Sequence, residues 1–268
     1  MAYVLGQLYN VYRTYLVEYS DPRTDDLPLI NSPLIIFAIC ASYLYIVLSF
    51  GPRFMKDRAP FQIKSILIVY NAFQIVANIF VWIYIFKVTY YQGTFNLSCN
   101  SPTPQNDRSE NAMHQVLATY CYFLLKVLDL LDTLFFIARK KFSHVTFLHV
   151  YHHTGMVFGG FIASRFCAAG HGTMLGILNC FVHAVMYGYY LFSALDENVK
   201  KSIWWKKHIT QIQLTQFLLL GVHFSICIFV ADCTYPKLFC IIMALQNLFM
   251  MFMFGDFYRK TYLLKKME

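Results

Sequence analysis

Three histidines fall within five residues, at His149, His152 and His153, in an otherwise apolar stretch. Residues three and four apart share a helix face, so the three imidazoles point the same way. Upstream, Lys126, Asp129 and Asp132 recur every three residues; downstream, Asn179, His183 and Tyr187 recur every four. Each set falls on one helical arc. Such residues can do two kinds of chemistry. Imidazoles ligate iron or zinc, and a zinc site from His149, His153 and His183 is geometrically open. Alternatively, one imidazole accepts an acyl group while others move protons. Asp129 and Asp132 would then orient or tune a ring, and Lys126 would hold a carboxylate or a developing oxyanion. A membrane di-iron oxygenase needs histidine boxes on several helices. Here His114, His144, His171, His208 and His223 lie apart from the one box and His183. The residues favour imidazole catalysis, which needs no cofactor, and leave the zinc site open.

The elements that position these groups follow from composition. The 268 residues are 58% hydrophobic and 13% charged, with 26 Phe and 20 Tyr. A soluble domain carries about 25% charged residues, so the chain reads as an all-α polytopic membrane protein. The net charge of +8 belongs with cytoplasmic loops rather than nucleic acid. Residues 1–23 carry Tyr, Glu and Asp throughout and lack a long apolar core, so no signal peptide is expected there. A spanning helix needs about 20 apolar residues. Seven segments qualify, at 34–50, 66–88, 116–138, 145–164, 173–194, 209–230 and 238–257, within one domain over 1–268.

Lys and Arg collect in alternate connections: Arg53 to Lys64, Arg139 to Lys141, Lys200 to Lys207, and the tail from Arg259. The positive-inside rule then puts the N-terminus in the lumen and the C-terminus in the cytosol. Asn96-Leu97-Ser98 is a glycosylation sequon on the luminal side. Cys99 lies beside it, and Cys233 lies in another luminal connection. An oxidising lumen permits a disulfide between them, with Cys167 as the competing partner.

Ionisable groups at membrane depth are expensive and mark function by default. The first segment has almost none and should face lipid or pack at the periphery. The others carry Asn71, Gln74 and Asn78; the Lys126 set; the histidines; the Asn179 set with Tyr190; Thr210, Gln213 and Gln216; and Gln246, Asn247 and Asp256. Each has a plain structural reading. The amides of the second segment are hydrogen-bond glue, Lys126 is an ion pair with Asp129 or Asp132, and His223 is structural or lipid-facing. Aiming them together at one interior cavity is the cheapest way to satisfy them all.

Four boxes in order resemble the very-long-chain fatty acid elongase family, the membrane 3-ketoacyl-CoA synthases. Residues 126–133, with Lys126, Asp129, Asp132 and Thr133, fit K-x-x-D-x-x-D-T, and residues 149–153 fit H-x-x-H-H. Residues 179–190 fit N-x-x-V-H-x-x-M-Y-x-Y-Y, and residues 210–217 fit T-x-x-Q-x-x-Q-F. The histidine box alone is weakly specific, because desaturases share it. The resemblance implies seven transmembrane helices, with helices 2 to 7 closing a barrel around an acyl tunnel and helix 1 outside. It implies condensation of a long-chain acyl-CoA with malonyl-CoA in the endoplasmic reticulum membrane, giving 3-ketoacyl-CoA, CO2 and CoA. It implies His152 as the residue that takes the acyl group, His149, His153 and His183 as assistants, and no metal. Lys126, Asn179 and Tyr187 would position thioester and pantetheine, with Asp129, Asp132, Gln213 and Gln216 as supporting residues.

Two stretches depart from the family pattern. Val157-Phe158-Gly159-Gly160-Phe161 lacks a frequent tryptophan, and Cys167-Ala168-Ala169-Gly170-His171 replaces a Pro-Gly-Gly-His-like loop. Both bear on tunnel shape rather than chemistry. The phosphates of CoA call for cytosolic cations, and Arg139, Lys140, Lys141, Lys206, Lys207, Arg259 and Lys260 are candidates. Lys265 and Lys266 resemble a dilysine retrieval signal. A homo-oligomer and the other elongation-cycle enzymes are the expected partners. The competing readings are a metal-dependent lipid desaturase or oxidase, and a seven-helix transporter or receptor.

Overall fold

The computed structural model describes residues 6–7, 13–91 and 96–264, the side chains of 15–17 excepted. Lys265 and Lys266 lie outside the described residues. Regular structure among those described is entirely helical. The main helices are α1 (Pro33–Tyr45), α2 (Lys64–Ile85), α3 (Glu110–Leu128), α4 (Leu130–Ala138), α5 (Phe147–Phe166), α6 (Thr173–Leu195), α7 (Ile203–Phe229) and α8 (Lys237–Tyr258).

Among the described residues, five helical runs are long and apolar enough to cross a membrane, and they make this a multi-pass membrane protein. They are Pro33–Met55, Lys64–Tyr90, Gly170–Leu195, Ile203–Phe229 and Lys237–Leu263. The remaining two expected spans are helical, but not as simple apolar rods. The stretch expected at 116–138 is two helices, α3 and α4, broken at Asp129. There the Asp132 N–H bonds the Asp129 carbonyl, three residues back, a tighter turn than the α-helical ladder. The stretch expected at 145–164 is α5, whose three histidines and Arg165 dilute its apolar character. The exposed face of α2 shows why such helices suit lipid. Ile66, Val69, Phe73, Val76, Phe80 and Ile83 are exposed, while Asn71, Gln74 and Asn78 are buried. Polar groups point in and apolar groups out, as hydrocarbon solvent requires.

By packing, the chain forms two compact units. The first holds α1, α3, α4 and α5. Its core runs through Ile36, Cys40 and Tyr43 of α1, Tyr120 and Phe123 of α3, Ile137 of α4, and Val150, Val157 and Phe161 of α5. Helix α3 approaches α5 closely at Gly160. A Cβ there would sit 3.3 Å from the Phe123 ring and 3.5 Å from its Cα. At the Arg165 end of α5, a polar knot ties in the segment ahead of α1. Arg23 is buried against Asp21 (Nη2 to Oδ2 2.6 Å) and donates to Thr103 Oγ1 at 2.8 Å. Arg165 Nη1 donates to Thr24 Oγ1 and Asp25 Oδ1, both at 2.7 Å. Buried guanidinium groups survive there because their donors are matched to acceptors in fork geometry.

The second unit holds α2, α6, α7 and α8. Here α2 packs along α6, and α7 along α8. His171, ahead of α6, stacks on His223 of α7 at 3.7 Å between ring centroids, 10° from parallel. Each ring's Nε2 meets the other's backbone carbonyl, at 3.0 and 3.1 Å. His223 is therefore structural and buried, not lipid-facing.

Candidate active site

Helix α5 starts where it must to present the histidines. Thr146 caps it, its Oγ1 accepting from the His149 backbone N–H at 3.2 Å. This satisfies one of the N–H groups that a helix start leaves open. His149 then sits in the first turn and His153 one turn on. Their ring centroids are 4.3 Å apart, and the His152 ring stands perpendicular to His153 at 5.6 Å. His153 is buried, while His149 and His152 are half-buried. Phe136 of α4 lies edge-on to His149 at 5.5 Å and stacks on His144 at 5.0 Å.

Lys126 and Asp129 stand at the junction of α3 and α4. The Lys126 Nζ is 2.7 Å from Asp129 Oδ2, with each side chain only 1–2% exposed. The Lys126 ammonium also lies 5.0 Å from the Tyr122 ring centre. Lys126 thus faces a carboxylate, as one of the sequence readings held, and the pair presents a dipole rather than a lone cation. Asp132, one turn on, is half-buried.

Two residues absent from the sequence-based set complete this half. Thr133 is fully buried, and its Oγ1 lies 2.8 Å from His149 Nε2. The Tyr43 hydroxyl of α1 lies 2.8 Å from the same Thr133 Oγ1. Thr133 was visible as the last letter of a motif, but its partner was not. Tyr43 carried no signal, because a tyrosine in an apolar helix is ordinary. The first helix therefore does more than pack at the periphery: it supplies a hydroxyl to Thr133 of α4, the residue that meets His149. Tyr43 also lines an apolar groove of about 530 Å³, with Ile35, Ile39, Ile46, Val127 and Leu134.

The Asn179, His183 and Tyr187 set is on α6, in the second unit, and all three are buried. The His183 and Tyr187 rings meet edge-on at 5.8 Å. Asn179 Nδ2 lies 3.5 Å from Gln216 Oε1 of α7, and Gln213 Nε2 lies 3.9 Å from the Met186 sulfur. Gln74 of α2 donates to the Tyr70 hydroxyl at 2.9 Å and lies 3.5 Å from the Tyr187 hydroxyl. The α2 amides include direct hydrogen-bond partners of this face.

The cationic candidates divide as their positions suggest. Arg139, Lys140 and Lys141 follow α4, and Lys140 Nζ donates to the Lys56 carbonyl at 2.9 Å. Lys206 and Lys207 lie in the first turns of α7. Arg259 and Lys260 are exposed and pair with Asp256, at 3.4 and 2.6 Å. Asp256 is thus occupied with cations at the helix end rather than facing an interior. Among the described residues, no group of three or more His, Cys, Asp and Glu is arranged to hold a metal ion. Asn96 is exposed, its Oδ1 accepting from the Ser98 N–H at 2.8 Å. Cys99 is bridged to Cys233, and Cys167, in the first unit, is buried and outside any disulfide, its Sγ 3.8 Å from the Ile162 carbonyl. The Cys233 sulfur lies 3.4 Å from Cys227, whose sulfur lies 3.1 Å from Cys240.

Comparison with known proteins adds a second line. The model of the GNS1/SUR4 family matches residues 28–268. The chain is 39% identical over 248 residues to a very long chain fatty acid elongase of Aedes aegypti, covering 92% of this chain and 68% of that protein. It is 36% identical over 259 residues to very long chain fatty acid elongase 7 of Drosophila melanogaster, covering 96% and 78%. It is 36% identical over 255 residues to very long chain fatty acid elongase 1 of Homo sapiens, covering 94% and 90%.

Proposed function

This chain belongs to the GNS1/SUR4 family, and we propose that it is the condensing enzyme of a membrane fatty acid elongation cycle. The observation that carries the reading is the family match over residues 28–268, with elongases aligned across more than nine-tenths of the chain. The substrates are a long-chain acyl-CoA and malonyl-CoA, and the enzyme is a 3-oxoacyl-CoA synthase.

The chemistry starts at His152. Its imidazole nitrogen attacks the thioester carbonyl, the C–S bond breaks, and CoA leaves as the thiol with the proton the ring gives up. Malonyl-CoA then loses CO2, and the electron pair of the broken C–C bond remains as an enolate. That carbon attacks the acyl-imidazole, the C–N bond breaks, the ring nitrogen takes up a proton from solvent, and 3-ketoacyl-CoA is released. His149, His153 and His183 assist proton movement and decarboxylation. The Lys126–Asp129 dipole, fixed in a buried setting, stabilises the oxyanion formed at each attack. Asn179 and Tyr187 position thioester and pantetheine, with Gln213 and Gln216 behind them.

The same reading places the protein in the endoplasmic reticulum as seven helices, with helices 2 to 7 around an acyl tunnel and helix 1 outside. The N-terminus is luminal, and the C-terminus, with its dilysine signal, is cytosolic. Asn96 is a glycan acceptor, and the Arg139 to Lys141, Lys206–Lys207 and Arg259–Lys260 cations meet the CoA phosphates. Peptide mapping of purified protein after incubation with acyl-CoA alone tests the mechanism. An acyl adduct is expected on His152 and is absent from His152→Ala, which stays folded and makes no 3-ketoacyl-CoA. Normal product from His152→Ala would overturn the assignment.

A further inference from the structure

A hydroxyl chain runs from α1 to the histidine box: Tyr43 OH to Thr133 Oγ1 at 2.8 Å, and Thr133 Oγ1 to His149 Nε2 at 2.8 Å. Tyr43 is 4% exposed and Thr133 is fully buried. The direction of the chain follows from counting protons. A buried phenol must place its O–H on an acceptor, because an unmade hydrogen bond there costs about 1–3 kcal/mol. Thr133 is the hydrogen-bond partner of the Tyr43 hydroxyl, and apart from Ser42 and Tyr43 itself the groove beside it is lined by apolar side chains. Tyr43 therefore donates to Thr133. A threonine hydroxyl has a single proton. Having accepted from Tyr43, Thr133 gives its own proton to its other partner, His149 Nε2.

We infer that Tyr43 and Thr133 are positioning residues that hold His149 in one tautomer, with its proton on Nδ1 and its Nε2 lone pair committed to Thr133. Which ring nitrogen carries the proton is set by the bond the other makes. The consequence for the site is a division of labour. The Nε2 lone pair of His149 is tied up and cannot attack a thioester, which leaves that step to His152 on the same face. The ring plane of His149 is fixed too, 4.3 Å from His153, so the chain aligns the neighbouring imidazoles. The inference deepens the proposed condensation, and its catalytic consequence rests on that reading. The tautomer itself does not.

The test uses full-length protein in detergent. Tyr43→Phe keeps the ring and removes only the hydroxyl. Thr133→Val removes the relay, and Thr133→Ser restores it. Misaligning a catalytic group by about 1 Å can cost on the order of 10²-fold. The expectation is a fall in kcat of roughly ten- to a hundredfold for Thr133→Val, a smaller fall for Tyr43→Phe, recovery with Thr133→Ser, and little change in KM. If Thr133→Val does not fold, Tyr43→Phe with its intact packing carries the kinetic test. Parental kcat in Tyr43→Phe, or failure of Thr133→Ser to recover, overturns the positioning role. Nitrogen-15 spectra of histidine-labelled protein read the tautomer directly, with His149→Gln identifying the signal. A ring protonated on Nδ1, altered in Tyr43→Phe, supports the chain. A ring protonated on Nε2 overturns it, whatever the enzyme is found to do. Protein that shows the Nδ1–H ring yet makes no 3-ketoacyl-CoA sinks the condensation reading and leaves the tautomer standing.

Discussion

Lys126 and Asp129 form a buried ion pair, 2.7 Å from Nζ to Oδ2, at the point where α3 gives way to α4. The pair sits three residues apart, so one turn of backbone holds both partners. Such a pair costs desolvation and returns little net stability, but removing one partner strands the other.

That asymmetry gives the first prediction. Lys126→Met alone is expected to destabilise the protein by about 3–5 kcal/mol. The double variant Lys126→Met with Asp129→Leu should melt close to the parent. Both should lack condensing activity, because the dipole assigned to the oxyanion is gone. Thermal melting in detergent and a product assay separate the two effects. A double variant as unstable as the single one would mean that the stranded charge was not the cause.

The bridge between Cys99 and Cys233 closes a long loop, 134 residues in sequence. Cys99→Ser is expected to lower stability by about 2–4 kcal/mol. It also leaves the Cys233 sulfur 3.4 Å from Cys227. Non-reducing peptide mapping of this variant should find a Cys227–Cys233 cross-link under oxidising conditions. Recovery of Cys233 as a free thiol there would contradict the expectation.

Gly159 and Gly160 are neighbours with opposite tolerances. A Cβ at Gly159 meets nothing within 4 Å, whereas one at Gly160 meets Phe123. Gly159→Ala should melt at or above the parental temperature, since alanine favours helix by about 1 kcal/mol over glycine. Gly160→Val should cost about 1–3 kcal/mol through overpacking against α3. Equal melting of the two variants would argue against close α3–α5 packing.

Arg165 ties the segment ahead of α1 to the end of α5 through Thr24 and Asp25. Arg165→Ala leaves the buried Thr24 hydroxyl without this donor and frees the exposed Asp25 carboxylate to solvent, and should cost about 1–3 kcal/mol. Arg165→Lys should recover only part of this, because an ammonium lacks the guanidinium fork. Limited proteolysis near residues 20–30 reads the effect. Cleavage at the parental rate in Arg165→Ala would remove the knot from the account of stability.

Much of this was legible in order along the chain. Apolar runs near the length of a bilayer marked helices, since helix length and hydrocarbon thickness are tied by geometry. The box at His149, His152 and His153, the spacing of Lys126 from Asp129, and the buried α2 amides were readable because a helix repeats every 3.6 residues. The break at Asp129 was not. A carboxylate at that position suits either a continuous helix or a turn, and the choice lay with the ammonium one turn away.

What the sequence by itself determined is local: which stretches are helical, which face of each is polar, and which imidazoles share a face. Those follow from periodicity and from the cost of polar groups in hydrocarbon. Only the tertiary structure decided the pairings across the chain. Tyr43 meets Thr133 ninety residues away, and His171 stacks on His223 fifty-two residues away. A lone tyrosine or histidine in an apolar helix carries no mark of its partner. Its meaning is set by what packing places within hydrogen-bond reach, and no period in the sequence encodes that distance.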